Sequence, residues 1–357
     1  NFDVTSGASI TQGATISFPG TTTLAAGAAG DITLSNTANV FTGTLTINSG
    51  RNVTMYTNDT FTVGNVTTNG NMTLTSDNGT TINGAVNVGS GIFASTINND
   101  GGTVGDFTMA AGGSITTTNT SATAVVITAN VNPDPSPGQN DRGIVLGNIT
   151  TGNGGTITAQ TNPGGITTGA SIDQVAGTVL NTGNGTVILT TSTSGTQHIG
   201  TAAAPIQTTS GTVTASTGTG GVFIHETDGA NMTATALGAG TVYLGTDSGT
   251  LTVAGATSTG SGAITLASGD AVTLNANVGG AGSSLITVNA NTNGAGADDF
   301  TMSPGSSITT TNATATAVRV NVNAAAGGTG GAAVQRNTPR SAGTITGATN
   351  TGGNTTG

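Results

Sequence analysis

One five-residue pattern recurs along the chain, from Asn52-Val-Thr-Met-Tyr56 through Thr60-Phe-Thr-Val-Gly64 to Asn71-Met-Thr-Leu-Thr75. A small or polar residue is followed by an apolar residue, a residue that is usually threonine, and a second apolar residue. Alternation with a period of two residues is the signal of a β-strand. Further copies are Gly43-Thr-Leu-Thr-Ile47, Gly155-Thr-Ile-Thr-Ala159, Gly211-Thr-Val-Thr-Ala215, Gly240-Thr-Val-Tyr-Leu244, Gly249-Thr-Leu-Thr-Val253, Gly262-Ala-Ile-Thr-Leu266 and Asp270-Ala-Val-Thr-Leu274.

The alternation predicts which side chains of each strand point into a core. Thr46 and Thr265 are predicted to point outward, and their apolar neighbours to point inward. Those inward residues are Leu45, Ile47, Ile264 and Leu266. Between the strands lie pairs such as Asn69-Gly70 and Asn78-Gly79, which tolerate positive φ and turn the chain sharply.

Strands this short are not stable alone. Each buries two apolar side chains, worth about 1.5–3 kcal/mol apiece. Ordering the ~8–11 residues of a strand and its turn costs roughly 1–2 kcal/mol per residue in backbone entropy. The deficit closes only if each strand also stacks on copies above and below, as in a solenoid. The sequence therefore predicts an all-β parallel β-helix (β-solenoid) forming a single elongated rod, with roughly 12–18 coils if each uses ~20–30 residues.

The composition supports an all-β chain and excludes several functions. Among 357 residues there are 78 Thr and 60 Gly, but no Lys, no Cys and a single Glu. The five Arg are too few for the many phosphate contacts of a nucleic-acid partner. No apolar run reaches the ~18 residues that membrane insertion needs. We expect an extracellular or cell-surface protein, because its surface residues are predicted to be Thr, Asn and Ser with little charge.

A longer repeat, of about 190 residues, is superimposed on the short pattern. Residues 106–130 and 299–323 are identical at 16 of 25 positions without a gap. Other segments match in the same order, so that about 53–165 corresponds to 242–353. We expect one continuous β-solenoid over 1–357, containing just under two copies of this super-repeat.

Two segments are predicted to leave the solenoid as loops, 133–143 and 324–342. The first is rich in proline, which cannot donate to a strand ladder; the second is rich in glycine and ends in Arg336-Asn-Thr-Pro-Arg340. Four of the five arginines lie in these segments or close to them: Arg142, Arg319, Arg336 and Arg340.

Two phrases resemble the shaft of filamentous-haemagglutinin-like exoproteins, which are large secreted bacterial adhesins. They are His198-Ile-Gly-Thr-Ala-Ala-Ala-Pro-Ile-Gln-Thr208 and Gly220-Gly-Val-Phe-Ile-His-Glu-Thr-Asp-Gly229. The Gly-Thr-apolar-Thr strands match the same family. The resemblance implies a right-handed parallel β-helix that serves as the shaft of a surface adhesin.

The sequence predicts no catalytic, cofactor-binding or metal-binding residues. Asp298-Asp299 is the one adjacent acidic pair, and neighbours on a strand face opposite sides. His225-Glu226 with Asp228 is the most polar segment. These three residues could bind a metal ion or activate water. The alternative, which we favour, is that a strand ends there in a solvated corner.

We expect a non-enzymatic structural shaft of an extracellular bacterial filament or surface fibre, whose partner is itself, by end-to-end stacking or continuation of the same chain. The alternative is an adhesin that binds a host or carbohydrate receptor, such as a polysaccharide, through the Arg-bearing loops. Less favoured are a polysaccharide-degrading β-helix and an ice-binding solenoid. The latter would use an outward array of Thr46, Thr54, Thr62 and Thr73.

Overall fold

The computed structural model describes most of the chain. The described residues are 1–97, 105–129, 143–161, 170–193, 195–258, 260–279, 282–295, 299–314 and 316–322, together with the backbone of 334–336, 344–346 and 349–350. This part consists of strands and turns and contains no helix. The chain divides into two compact units, Asn1–Ser194 and Gly195–Gly357.

The first unit contains 21 strands in its described part. They are Phe2–Thr5 (β1), Ile10–Thr11 (β2), Ser17–Phe18 (β3), Thr22–Ala25 (β4), Ile32–Leu34 (β5), Val40–Phe41 (β6), Thr44–Ser49 (β7), Val53–Thr57 (β8), Thr60–Thr67 (β9), Met72–Ser76 (β10), Gly79–Ile82 (β11), Ala85–Asn87 (β12), Phe93–Ile97 (β13), Asp106–Met109 (β14), Ser114–Thr116 (β15), Val125–Ala129 (β16), Ile144–Leu146 (β17), Asn148–Thr150 (β18), Thr156–Thr161 (β19), Ile172–Gln174 (β20) and Leu180–Thr190 (β21).

Each strand of the first unit pairs in parallel with a strand one coil away. On one face the order is β2, β5, β8, β10, β13, β16, β19 and β21. Successive register partners on this face are roughly 20–30 residues apart, the coil length assumed above in estimating the number of coils. The partners are Ile10, Ile32, Val53, Met72, Phe93, Val125, Ile157 and Val187, and every one of them is buried. Stacked in-register parallel strands with a shared apolar column are those of a β-solenoid, so the prediction of an all-β parallel β-solenoid is confirmed.

The second unit is built in the same way. Its described strands are His198–Ile199 (β22), Ile206–Thr217 (β23), Gly221–Glu226 (β24), Ala230–Ala236 (β25), Val242–Thr246 (β26), Leu251–Ser258 (β27), Ile264–Ser268 (β28), Val272–Leu274 (β29), Val278–Gly279 (β30), Ile286–Ala290 (β31), Phe300–Met302 (β32), Ser307–Thr309 (β33), Val318–Val322 (β34), Val334–Arg336 (β35), Thr344–Thr346 (β36) and Thr349–Asn350 (β37). On one face β24, β26, β28, β31 and β34 pair in parallel. Their first buried column is Val222, Val242, Ile264, Ile286 and Val318.

The predicted inward and outward residues lie where the alternation placed them. Leu45, Ile47, Ile264 and Leu266 are each at most 1% exposed, whereas Thr46 and Thr265 lie at the outer surface and are half-buried. Because the inward residues of paired strands lie in register, the apolar side chains of the described coils stack into shared columns.

The segments that match in sequence form the same strands. Residues 106–129 form β14, β15 and β16, and residues 299–322 form β32, β33 and β34. Each set pairs with the coil before it in the same order.

One corner of this repeated coil is closed by a buried threonine and a half-buried asparagine. Thr117 Oγ1 donates to the carbonyl of Gly91 (2.7 Å), and Asn119 Nδ2 donates to the carbonyl of Ser90 (2.9 Å). The corner of the preceding coil, which accepts these hydrogen bonds, begins at Gly89. The φ of Gly89 is 56°, in the left-handed region, and a Cβ atom added to it would lie 3.1 Å from Thr68 O. Any other residue there would be strained.

The second copy repeats this corner at the equivalent positions. Thr310 Oγ1 donates to the carbonyl of Ser284 (2.7 Å), and Asn312 Nδ2 donates to the carbonyl of Ser283 (2.8 Å). The side chains of one coil thus satisfy backbone carbonyls of the previous coil, which buried turns require.

The two predicted loops fall almost wholly outside the described residues. Gly143 is the described residue of 133–143. Within 324–342 the structure describes β35, which pairs in parallel with β32, so Arg336 belongs to a strand and not to a loop.

Candidate functional site

Rows of threonine cover much of the outer surface, but the four threonines of the ice-binding hypothesis do not form one array. Thr54 and Thr73 are register partners in one row. Thr62 belongs to a different row, opposite Thr81, and a register shift after Leu45 separates Thr46 from the following coil. The proposed flat array is therefore split over separate rows.

Two neighbouring strands of the second unit replace these threonines with aromatic and titratable side chains. Phe223 and His225 face outward on β24, and their register partners on β26 are Tyr243 and Gly245. Asp247 follows β26 directly. His225 Nε2 lies 3.1 Å from Asp247 Oδ1, with the His side chain 27% and the Asp side chain 64% exposed.

Each aromatic side chain extends along its own strand toward a glycine of that strand. A Cβ atom on Gly245 would lie 2.7 Å from Tyr243 Oη and 3.1 Å from His225 Cδ2. A Cβ atom on Gly221 would lie 3.0 Å from Phe223 Cε2. Both glycines are buried although they face outward, and ring atoms occupy the space that a side chain would fill there.

We name Phe223, His225, Tyr243 and Asp247 the aromatic strip. Burial, and secondarily the Asp247 carboxylate, raises the pKa of Tyr243 above its ordinary value. The hydroxyl of Tyr243 is therefore protonated at neutral pH, and it makes no hydrogen bond within the described part of the chain. The strip places two half-buried aromatic side chains on the same outward side as an imidazole and a carboxylate.

Glu226, next to His225, points the opposite way and is buried, at 1% exposure. Its Oε1 accepts the N–H of Ser210 (2.8 Å), and its Oε2 accepts the N–H groups of Asp228 (2.9 Å) and Gly229 (2.7 Å). Burial raises the pKa of Glu226, and the three backbone donors oppose that rise. This carboxylate closes a corner from the inside.

The solvated-corner interpretation of His225-Glu226 and Asp228 is therefore partly wrong. Asp228 is exposed and His225 is half-buried, but Glu226 is in the core because strand alternation turns it inward. The three side chains do not converge, since His225 meets Asp247 and Glu226 meets backbone.

The described residues hold no group of three or more His, Cys, Asp and Glu side chains placed to bind a metal ion. Of the pair Asp298-Asp299, Asp298 lies outside the described residues. Asp299 precedes β32, and its carbonyl accepts the N–H of Val272. In the same part of the chain, no helix has the length and hydrophobicity that crossing a membrane needs.

An ion pair joins two coils at the surface of the first unit. Arg51 binds Asp31 in a bidentate manner, with Nε to Oδ1 at 2.8 Å and Nη2 to Oδ2 at 2.6 Å. Asn52 adds its backbone N–H and its side-chain amide to Asp31 Oδ1. The hydrogen bond from Arg51, followed by that from the Asn52 N–H, holds the pKa of Asp31 well below its usual range. This arrangement staples neighbouring coils.

Sequence reasoning missed Tyr243 and Asp247 as neighbours of His225. Both lie one coil further along the chain, and only the register of β24 on β26 brings them together. The sequence did contain a signal for this contact. Phe223-Ile-His225 and Tyr243-Leu-Gly245 have similar patterns and lie about 20 residues apart, which is the length of one short coil.

The geometry defines the class of protein: a parallel β-solenoid made of repeated coils, that is, a β-repeat protein. Residues 1–48 match the model of a family described as repeats of unknown function (DUF5649). This match covers β1 to β6 and most of β7, which form the first coils of the first unit. No curated protein and no solved structure matches the chain.

Proposed function

We propose that this protein is a structural shaft of an extracellular bacterial filament or surface fibre. The observation that supports the proposal best is that hydrogen bonds run from each coil to the next. The backbone pairs in parallel along every column, and side chains at the corners bond carbonyls or N–H groups of the adjacent coil. A protein whose polar groups are used in this way is built to hold length and shape.

In the first unit, side-chain oxygens of successive coils form a ladder of hydrogen bonds to the backbone of the next coil. Asp31 Oδ1 accepts the N–H of Asn52 (3.1 Å), Asn52 Oδ1 accepts the N–H of Asn71 (3.0 Å), and Asn71 Oδ1 accepts the N–H of Ile92 (2.9 Å). Each step crosses one coil boundary. Load along the column would be shared by these bonds and by the backbone ladder, because neighbouring coils supply most of each other's stability.

Two further points support a surface shaft. The resemblance of 198–208 and 220–229 to filamentous-haemagglutinin-like exoproteins implies a secreted adhesin shaft, and the match of 1–48 is to a repeat family. The outer surface of Thr, Asn and Gly with a formal net charge of −10 suits an exported fibre. The proposal assigns no catalytic activity, and its partner is the same chain, by continuation or by end-to-end stacking.

Negative-stain electron microscopy of the purified native protein tests the proposal. Thin unbranched filaments with an axial repeat are expected, and the super-repeat is the expected source of that axial repeat. Compact particles or discrete short rods would contradict the filament. Sedimentation over a dilution series separates the two modes of growth, because stacked copies dissociate on dilution and a continuous chain does not.

A further inference from the structure

We propose that the aromatic strip of the second unit is a binding site for a linear neutral polysaccharide. The proposal is independent of the shaft function and rests on the outer faces of β24 and β26. It differs from the adhesin hypothesis drawn from the sequence, which placed binding on the loops 133–143 and 324–342.

Phe223 and Tyr243 place two half-buried aromatic rings on adjacent strands. Phe223 reaches back over Gly221, whereas Tyr243 reaches forward over Gly245, so the rings are offset along two adjacent strands. An offset of about two residues and one strand separates them by roughly 8 Å. An extended chain of sugar rings can place successive apolar ring faces on such a pair, and aromatic faces are the usual platform for amphipathic ligands.

Polar groups lie at one end of the aromatic strip. His225 and Asp247 hold each other at 3.1 Å, and the exposed Asp247 carboxylate keeps further lone pairs for ligand hydroxyls. The Tyr243 hydroxyl lies beside the His225 ring, as both would contact a Cβ atom on Gly245. Gln207 is the register partner of His225 and adds an amide to the same surface. A few polar groups beside apolar surface are what orients a small ligand.

Charge and backbone pairing select the ligand class. The strip carries a carboxylate and no Lys or Arg, so phosphates and acidic sugars are repelled. An added peptide strand needs a free sheet edge. Here β24 pairs with β23 and β26, and β26 pairs with β24 and β28, so neither has one. A neutral polyhydroxylated chain is the ligand that these groups fit.

The test is titration of the full chain with neutral hexasaccharides, namely cellohexaose, laminarihexaose, mannohexaose and xylohexaose, followed by NMR. We expect at least one to bind and to shift the ring signals of Tyr243. Tyr56, the other tyrosine of the chain, lies in the first unit and serves as an internal reference. Y243T should weaken binding by about tenfold or more, the equivalent of ~1.4 kcal/mol.

Matched variants separate the strip from the sheet beneath it. Gly245→Ala keeps every side chain of the strip but lifts the Tyr243 ring, so it should also weaken binding. T265V changes the outward register partner of Tyr243 in the next coil and should leave affinity within about twofold. Circular dichroism confirms that each variant is folded.

Three outcomes would overturn the proposal: no binding of any hexasaccharide at about 10 mM, an equal loss of affinity in T265V, or tighter binding of hexagalacturonate than of the neutral chains. Filaments formed by Y243T would show that failure of this site is separate from failure of the shaft.

Discussion

The segments 106–129 and 299–322 are two versions of one coil in different units, and they share inward apolar side chains and corner hydrogen bonds. Inside, Phe107 and Phe300 are both fully buried, and the corner bonds of Thr117 and Thr310 have the same length.

Outside, the two versions diverge. Val126 of the first copy is replaced by Arg319 in the second, and Thr128 by Asn321. Arg319 is exposed on β34, where nothing constrains it to be apolar. The comparison shows that the fold depends on inward side chains and corner hydrogen bonds, whereas outward positions of the strands are free to change.

The largest effect should come from the inward phenylalanines. Phe107→Ala and Phe300→Ala are each expected to lower the free energy of unfolding of their unit by about 3–5 kcal/mol, since each removes a fully buried ring. Hydrogen exchange resolved by residue measures the loss in each unit separately. If one of the two substitutions lowered the free energy of unfolding by less than ~1 kcal/mol while the other had the full effect, the two coils would not be equivalent.

The corner threonines should have the next largest effect. T117V and T310V remove a buried donor and leave the carbonyls of Gly91 and Ser284 without that partner, at a cost of about 1–3 kcal/mol in each unit. Thr116 is exposed and outward, so T116V is the matched control and should change stability by less than ~0.5 kcal/mol. If T116V cost as much as T117V, the distinction between corner and surface would be wrong.

The buried carboxylate of the second unit predicts a pH dependence. Because the pKa of Glu226 is raised on folding, its contribution to stability is full below the ordinary pKa of a glutamate and is lost as the pH rises through the folded value. The neutral variant E226Q should lack that decline. Denaturant unfolding from pH 3.5 to 7 measures it as the difference between wild type and variant, and parallel curves would contradict the prediction.

The surface ion pair of the first unit should have the smallest effect and the opposite sign. The pKa of Asp31 is lowered, so its contribution is present above the ordinary pKa of an aspartate and is lost as the pH falls. R51Q should return the titration of Asp31 toward its usual range, as followed by the NMR shift of its carboxyl carbon. The Arg51 side chain is 55% exposed and the Asp31 side chain 31%, so solvent reaches the pair and added salt should reduce the difference. If R51Q left the titration of Asp31 unchanged, the ion pair would not stabilise the contact between the two coils.

The alternation along the chain was sufficient to predict the strands and their inward faces. Threonine between two apolar residues, with Asn and Gly at the turns, allows few structures other than short strands that share a core. The inward positions of Leu45, Ile47, Ile264 and Leu266 follow from this pattern alone, and all four are buried.

Which residues of different coils become neighbours depends on the register between strands, and the sequence does not display that register. Coil lengths on one face vary from about 20 to about 30 residues, so no fixed period predicts contacts between coils. The meeting of Thr117 with Gly91 could not be foreseen. The step of about 20 residues that brings Asp247 to His225 is present in the sequence, but it is recognised only once the register of β24 on β26 is known. Glu226 was predicted to lie at a solvated corner, and that prediction was wrong for a related reason. Strand alternation turns its side chain inward, and one of the N–H groups that stabilise the buried carboxylate belongs to Ser210 in the preceding coil. Register is a property of two strands together, and a single strand does not encode it.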